Sequence, residues 1–224
     1  MGVPEELIEI KRRLENGENI RKDFWRLVGQ VKRLQICDEQ VISLVSEIRE
    51  RLFERKIIVG FRLGFALFSA ILIFLNIVFI YTSLWMESGM IKAFITIAVE
   101  IGVIYVSFLV GRIIGSIVSG IGIEGFYKYS PLEFGVKLNY RDYLIANPKK
   151  RVALYSGALV MEHFILLTHL IFLYAVQSYW IIPAFFLAVN IPFSWLVHRF
   201  AGTGELHRLL RELRIMKEIE KSQT

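Results

Sequence analysis

Apolar and polar positions are sorted into blocks along this chain. Residues 1–56 mix short apolar stripes with dense charge, and Leu63–Tyr81 carries no charged residue. Dense charge returns only over 112–151 and after 198. Four stretches hold the roughly 20 apolar residues that a helix needs to cross a bilayer core, and spans are expected over about 57–85, 91–119, 152–176 and 180–198. Pro183 and Pro192 in the fourth free backbone carbonyls and permit a kink.

The N-terminal block reads as helices. Leu7, Ile10 and Leu14 share a face that Gly17 ends, and Phe24, Leu27, Val28, Val31 and Leu34 form a second stripe. Asp38 is placed to cap a third helix that carries Val41, Leu44, Val45, Ile48 and Leu52. These stripes either pack as a small bundle or present a groove to a partner. At the other end, Leu206, Leu209, Leu210, Leu213 and Met216 form one side of a helix, with Thr203 as a candidate N-cap. Its other side carries His207, Arg208, Arg211, Arg214 and Lys217, and either packs on the N-terminal helices or lies on anionic lipid.

The pattern predicts an all-α polytopic membrane protein. A helical region (1–56) precedes a four-transmembrane-helix bundle (57–199) interrupted by a loop (120–151), and an amphipathic helix (200–224) follows. Composition supports this: 54% of residues are apolar, against about 45–50% in an ordinary soluble domain. The lone Cys37 excludes an intramolecular disulfide and a multi-cysteine zinc site. The formal charge of +6 would suggest nucleic acid in a soluble protein, but its distribution points to a membrane and no nucleic-acid partner is expected. Residues 1–56 hold 12 Lys and Arg, 112–151 hold 7 and 198–224 hold 6, while the connections 82–92 and 177–179 hold only Lys92. Basic residues collect on the cytoplasmic side, so the chain is expected in the cell membrane with both termini and the middle loop cytoplasmic. Trp85, Tyr179 and Trp180 then lie at the outer interface.

Polar residues inside the spans are the first candidates for chemistry, because each is costly in hydrocarbon. Glu100 lies seven residues in from Ala93, and His169 seven in from Val176, at the outer ends of the second and third apolar stretches, about 10 Å deep at helical rise. Glu162 is two turns from His169 on nearly the same face, His163 points about 100° away, and Asn190 in the fourth span approaches this level. Glu100, Glu162, His169 and Asn190 suggest a polar seam. Three roles suit it: interhelical hydrogen bonding, a proton or ion path, or an acid–base or metal-centred site. No H-E-x-x-H string is present, and no metal or other cofactor is expected.

Gly111 and Gly115 have the spacing that lets helices approach closely. Gly120, Gly122 and Gly125 match G-x-G-x-x-G, but they follow a span rather than a strand, which argues against dinucleotide binding. In the loop, Tyr127, Lys128, Lys137, Arg141, Lys149, Lys150 and Arg151 interleave rings with cations, as expected of a segment contacting anionic lipid headgroups. Pro131 and Asn147-Pro148 are turn signals. No string carries a family signature. The expected function is a non-enzymatic subunit or scaffold that recruits a protein partner through its cytoplasmic helices or self-associates. A small proton- or ion-coupled transporter and a lipid-modifying membrane enzyme are the alternatives.

Overall fold

Helices form where apolar periodicity and its punctuation agree. The computed structural model describes residues 2–130, 133–202 and 204–223; Pro131 and Thr203, expected at a turn and a cap, lie outside the described residues. Helices α1 (Val3–Glu15), α2 (Arg21–Arg33) and α3 (Glu39–Leu52) make the N-terminal region. The Asp38 carboxylate accepts from the Val41 amide at 3.0 Å, capping α3. Leu7, Ile10, Phe24, Leu27, Val31, Val45 and Ile48 are buried in a single core with Tyr143, Leu144 and Leu154 from later in the chain. The apolar stripes are therefore consumed by the protein's own fold. Leu34 departs from its stripe because α2 ends at Arg33, and it is 66% exposed.

The stretch 57–60, expected to open the first span, is a strand instead. Ile57, Ile58 and Val59 are β-branched and favour extended backbone, and they form β1 (Ile57–Gly60). The expected loop 120–151 is also ordered, as β2 (Ile123–Ser130), β3 (Glu133–Leu138) and α6 (Tyr140–Ile145). The sheet is antiparallel in the order β1-β2-β3, with Gly60 opposite Gly125 and Phe126 opposite Val136. Phe126 is fully buried with its ring 4.9 Å from that of Phe68, and fills the space left by Gly64. This small sheet closes one end of an otherwise all-α architecture.

Four helices are long and apolar enough to cross a membrane: α4 (Phe61–Trp85), α5 (Met90–Ser119), α7 (Pro148–Ala175) and α8 (Ile181–Leu196), which continues as a π-helical turn, Val197–Ala201. Large apolar side chains face outward on them, among them Leu63, Phe74, Ile77, Phe164 and Phe185. Asn147 caps α7, accepting from the Lys150 amide at 2.9 Å. Helix α5 ends at Gly120, which takes a left-handed conformation (φ 68°). Helices α5 and α7 pack most closely, where Gly111 and Gly115 meet Gly157. The final helix, α9 (Gly204–Gln223), lies against α7 and α2.

Lys92 has a structural role that charge counting does not reveal. It is buried, and its ammonium donates to the carbonyls of Ser83 at 2.9 Å and Met86 at 3.0 Å. These lie at the end of α4, where carbonyls lack intrahelical partners and a cation is favoured. Lys92→Met is expected to cost about 1.5–3 kcal/mol, the range for hydrogen bonds to charged groups, measured by thermal unfolding in detergent. A change within about 0.5 kcal/mol would contradict this role.

Candidate functional site

The polar candidates within the four long helices form two separate pairs. His169 on α7 places Nδ1 3.0 Å from Glu100 Oε1 on α5, and Nε2 3.1 Å from Asn76 Oδ1 on α4. The Asn76 amide donates to the Leu72 carbonyl, which turns its oxygen toward the ring. Phe79 stacks on His169 at 3.7 Å, and Glu100 Oε2 is buried with no hydrogen-bond partner among the described residues. Asn190 on α8 donates to Glu162 on α7. His163 leaves the seam altogether and bonds the Leu159 carbonyl of its own helix at 2.7 Å. Among the described residues no hydrogen bond joins Glu100–His169 to Glu162–Asn190, so the continuous seam expected from spacing resolves into two interhelical contacts.

The largest concentration of charge lies elsewhere, beneath α1–α3. A cavity of about 390 Å³ is bounded by α2, α3, the sheet, α6, α9 and the sheet-side ends of α5 and α7. Lys32, Arg49, Arg55, Arg112, Arg208 and Arg211 line it, with Tyr127, Tyr140, Tyr143 and Tyr155. Among the described residues, two carboxylates pair with these cations. Both Glu205 oxygens accept from Arg112 Nη2 at 2.6 Å, and Oε1 also accepts from Arg208 at 2.9 Å. Glu212, fully buried, accepts from Lys32, from the Tyr143 hydroxyl at 2.9 Å and from Arg151 Nε at 2.8 Å. Arg49 and Arg55 have no carboxylate partner among the described residues; they rest instead over the rings of Tyr140 and Tyr127, at 4.1 and 4.4 Å.

The titration behaviour reflects this imbalance. Burial, together with Arg49, Arg208 and Arg112, pulls Arg55 below its ordinary value against the pull of Tyr127. Burial lowers the Lys32 ammonium to about 7 even beside Glu212. Burial alone would raise the Glu212 carboxyl, but Lys32, Arg151 and Tyr143 together hold it below the ordinary carboxylate value. Burial raises the Tyr140 hydroxyl, so it stays protonated, and it has no acceptor among the described residues. Arg112 Nε is likewise buried with no hydrogen-bond partner among the described residues. The cavity thus presents surplus positive charge, the complement of a phosphate-type anion.

The residues expected at lipid headgroups take four different places. Tyr127 lines the cavity and accepts from Arg55 at 2.5 Å. Lys128, Lys149 and Lys150 are exposed. Lys137 pairs with Glu50 at 3.0 Å and Glu124 at 2.9 Å, and Arg141 pairs with Glu39 at 2.6 Å, so both tie the sheet region to α3. Arg151 departs from the expected headgroup contact: it is 2% exposed and turned inward onto Glu212 and the Ala146 carbonyl. Its place in the first turn of α7 aims it at α9. Helix α9 turns its Glu205–Glu212–Ile215 face inward rather than a purely apolar stripe. Two acids seven residues apart in a base-rich helix share a face, and that spacing was the legible signal for them.

A second cavity of about 380 Å³ adjoins the first. It is lined by Phe108, Leu159, Phe186, Val189 and Phe193, with Glu162, Asn190 and Glu205 at its wall. Comparison with protein-family models, curated proteins and solved structures finds no match for the chain. The class is therefore set by geometry alone: a helical protein with four helices of membrane-crossing length and a basic, tyrosine-lined cavity at their sheet end.

Proposed function

We propose that this is an integral protein of the cell membrane that binds a phosphate-bearing ligand in the basic cavity, with both termini, the sheet and that cavity on the cytoplasmic side. The observation that carries the reading is five arginines and Lys32 lining one cavity, where Arg49 and Arg55 meet tyrosine rings and no carboxylate among the described residues. Charge asymmetry supports the orientation, since the connections at the opposite end of the helices carry only Lys92. The outward-facing apolar side chains of α4, α7 and α8 support insertion. Partner recruitment through α1–α3 and self-association through Gly111 and Gly115 are less well supported, because those surfaces are spent inside the fold. An ion path is less well supported too, since its residues form two unlinked pairs.

Inorganic pyrophosphate is a suitable probe, followed by thermal unfolding of the purified protein in neutral detergent. Ligand that binds only the folded state stabilises it, by about 2.7 kcal/mol at 100 times Kd. A saturable rise in Tm is expected. Arg49→Ala with Arg55→Ala is expected to abolish that rise while the unliganded protein still unfolds cooperatively, since relief of like-charge repulsion offsets the two lost ring contacts. An equal rise in the double variant, or none in the unaltered protein, would refute the reading.

A further inference from the structure

The two cavities share a wall, and that wall is a short piece of chain. Gly204, Glu205 and Leu206 line the apolar cavity, while Gly202, His207 and Arg208 line the basic one. Arg112 of the basic cavity reaches across to Glu205 of the apolar one, both at 2.6 Å contacts, and its guanidinium lies 6.0 Å from the ring of Phe108, which lines the apolar side. Two left-handed glycines, Gly202 (φ 61°) and Gly204 (φ 83°), precede Glu205 in this wall and follow a π-helical turn. Such turns interrupt regular helix and recur at functional sites.

The apolar cavity lies between α5, α7 and α8 of the membrane-length helices. Helix α8 is weakly held there: Pro183 is its only buried residue among the described positions, and Val189, 45% exposed, borders both the cavity and the outside. A chain entering from the bilayer would meet Phe186, Val189 and Phe193 and, at the far wall, the Arg112–Glu205 pair. Beyond that pair lie Arg55, Tyr140 and the other donors of the basic cavity.

Resting on the phosphate-binding reading, we infer that the ligand is a phosphate-headed lipid, its head held in the basic cavity, its hydrocarbon chain in the apolar one, and the Arg112–Glu205 pair the partition it replaces. Arg112 exchanges a carboxylate for the phosphate and keeps its charge compensated throughout. Glu205 remains paired through Arg208, which contacts it at 2.9 Å. Charge complementarity selects the head, and the position of the second cavity on membrane-length helices selects the chain.

Displacement of radiolabelled pyrophosphate, with the protein in amphipol, separates head from chain. Three competitors are compared below their micelle concentrations: glycerol 3-phosphate, a monoacyl glycerol 3-phosphate, and the corresponding monoacylglycerol. The monoacyl phosphate is expected to displace label at about tenfold lower concentration than glycerol 3-phosphate, a gain that burying about two methylenes supplies. Monoacylglycerol, lacking the phosphate, is expected not to displace it. Val189→Trp, which fills the apolar cavity from its exposed edge, is expected to bring the two phosphates to within about twofold of each other while pyrophosphate still binds. Retained pyrophosphate binding shows that the variant is folded and the head site intact. Equal potency of the two phosphates in the unaltered protein, or an undiminished chain advantage in Val189→Trp, overturns the lipid inference and leaves the phosphate site standing. Absence of pyrophosphate binding in the unaltered protein overturns both.

Discussion

Glu212→Gln is expected to lower stability by about 3–5 kcal/mol, the cost of removing one partner from a buried ion pair. The carboxylate is fully buried and gathers Lys32 from α2, Tyr143 from α6 and Arg151 from α7. Lys32 and Arg151 are themselves 3% and 2% exposed, so the variant strands the Arg151 guanidinium in the interior and leaves Lys32 to shed its proton. Because Glu212 is the point at which α9 meets three other elements, α9 is expected to detach first and become cleavable by protease. The exposed pair Arg51–Glu15 is the comparison: Arg51→Ala is expected to cost less than about 1 kcal/mol. Thermal or denaturant unfolding in detergent checks both, and a loss below about 1 kcal/mol for Glu212→Gln would contradict the hub.

Linkage gives the same cluster a pH signature. The Glu212 carboxyl is held below its unfolded value of 4.5, so its contribution is present above about pH 4.5 and drains as pH falls through the lower, folded value. The Lys32 ammonium titrates at about 7 in the fold and at 10.5 unfolded, so between those values the unfolded chain binds more protons. Stability is therefore expected to rise from pH 7 toward 10.5, and Lys32→Met is expected to flatten that rise. A flat or falling profile over this window in the unaltered protein would contradict the burial assigned to Lys32.

The second large effect is expected at Gly115. A Cβ placed there would sit 2.5 Å from the Leu154 carbonyl oxygen, which is backbone and cannot swing aside. Gly157 faces it from the other helix, where a Cβ would in turn lie 2.7 Å from the Gly115 Cα. Gly115→Val must push α5 and α7 apart, at a cost of about 3 kcal/mol or more. That separation also moves Arg112 and Tyr155, which line the basic cavity, so pyrophosphate binding is expected to fall with stability. Gly29→Ala is the contrast, since nothing lies within 4 Å of a Cβ at that position in α2. It is expected to stabilise by about 0.5–1 kcal/mol, as alanine replaces glycine inside a helix. Unfolding measurements that rank the two variants the other way would overturn this account of the glycines.

These two residues differ in how visible they are in the sequence. Gly115 is legible because it shares a four-residue spacing with Gly111 inside an apolar run, and helix contacts follow local periodicity. Glu212 is one acid in a helix of mixed charge, and nothing local says that Lys32 and Arg151 will meet it. The same contrast holds elsewhere. The four long helices follow from absent charge over helical length, and α3 from the Asp38 cap. The strand at Ile57–Gly60 is hidden because its β-branched residues open an apolar stretch that continues as helix. Pairing with Gly125 and Phe126, far along the chain, decides its state. The basic cavity is hidden for the same reason, since Lys32, Arg49, Arg55, Arg112 and Arg211 come from five separate segments. In sequence each reads as one more cytoplasmic charge.

The most direct test of the phosphate site is crystallographic, with crystals soaked in tungstate, a phosphate-shaped oxyanion that anomalous scattering locates. Placing the ion in the basic cavity, within hydrogen-bond distance of Arg55 or Tyr140, is the expected result. Tungstate bound only at exposed lysines such as Lys149 and Lys150, with none in the cavity, would contradict the account.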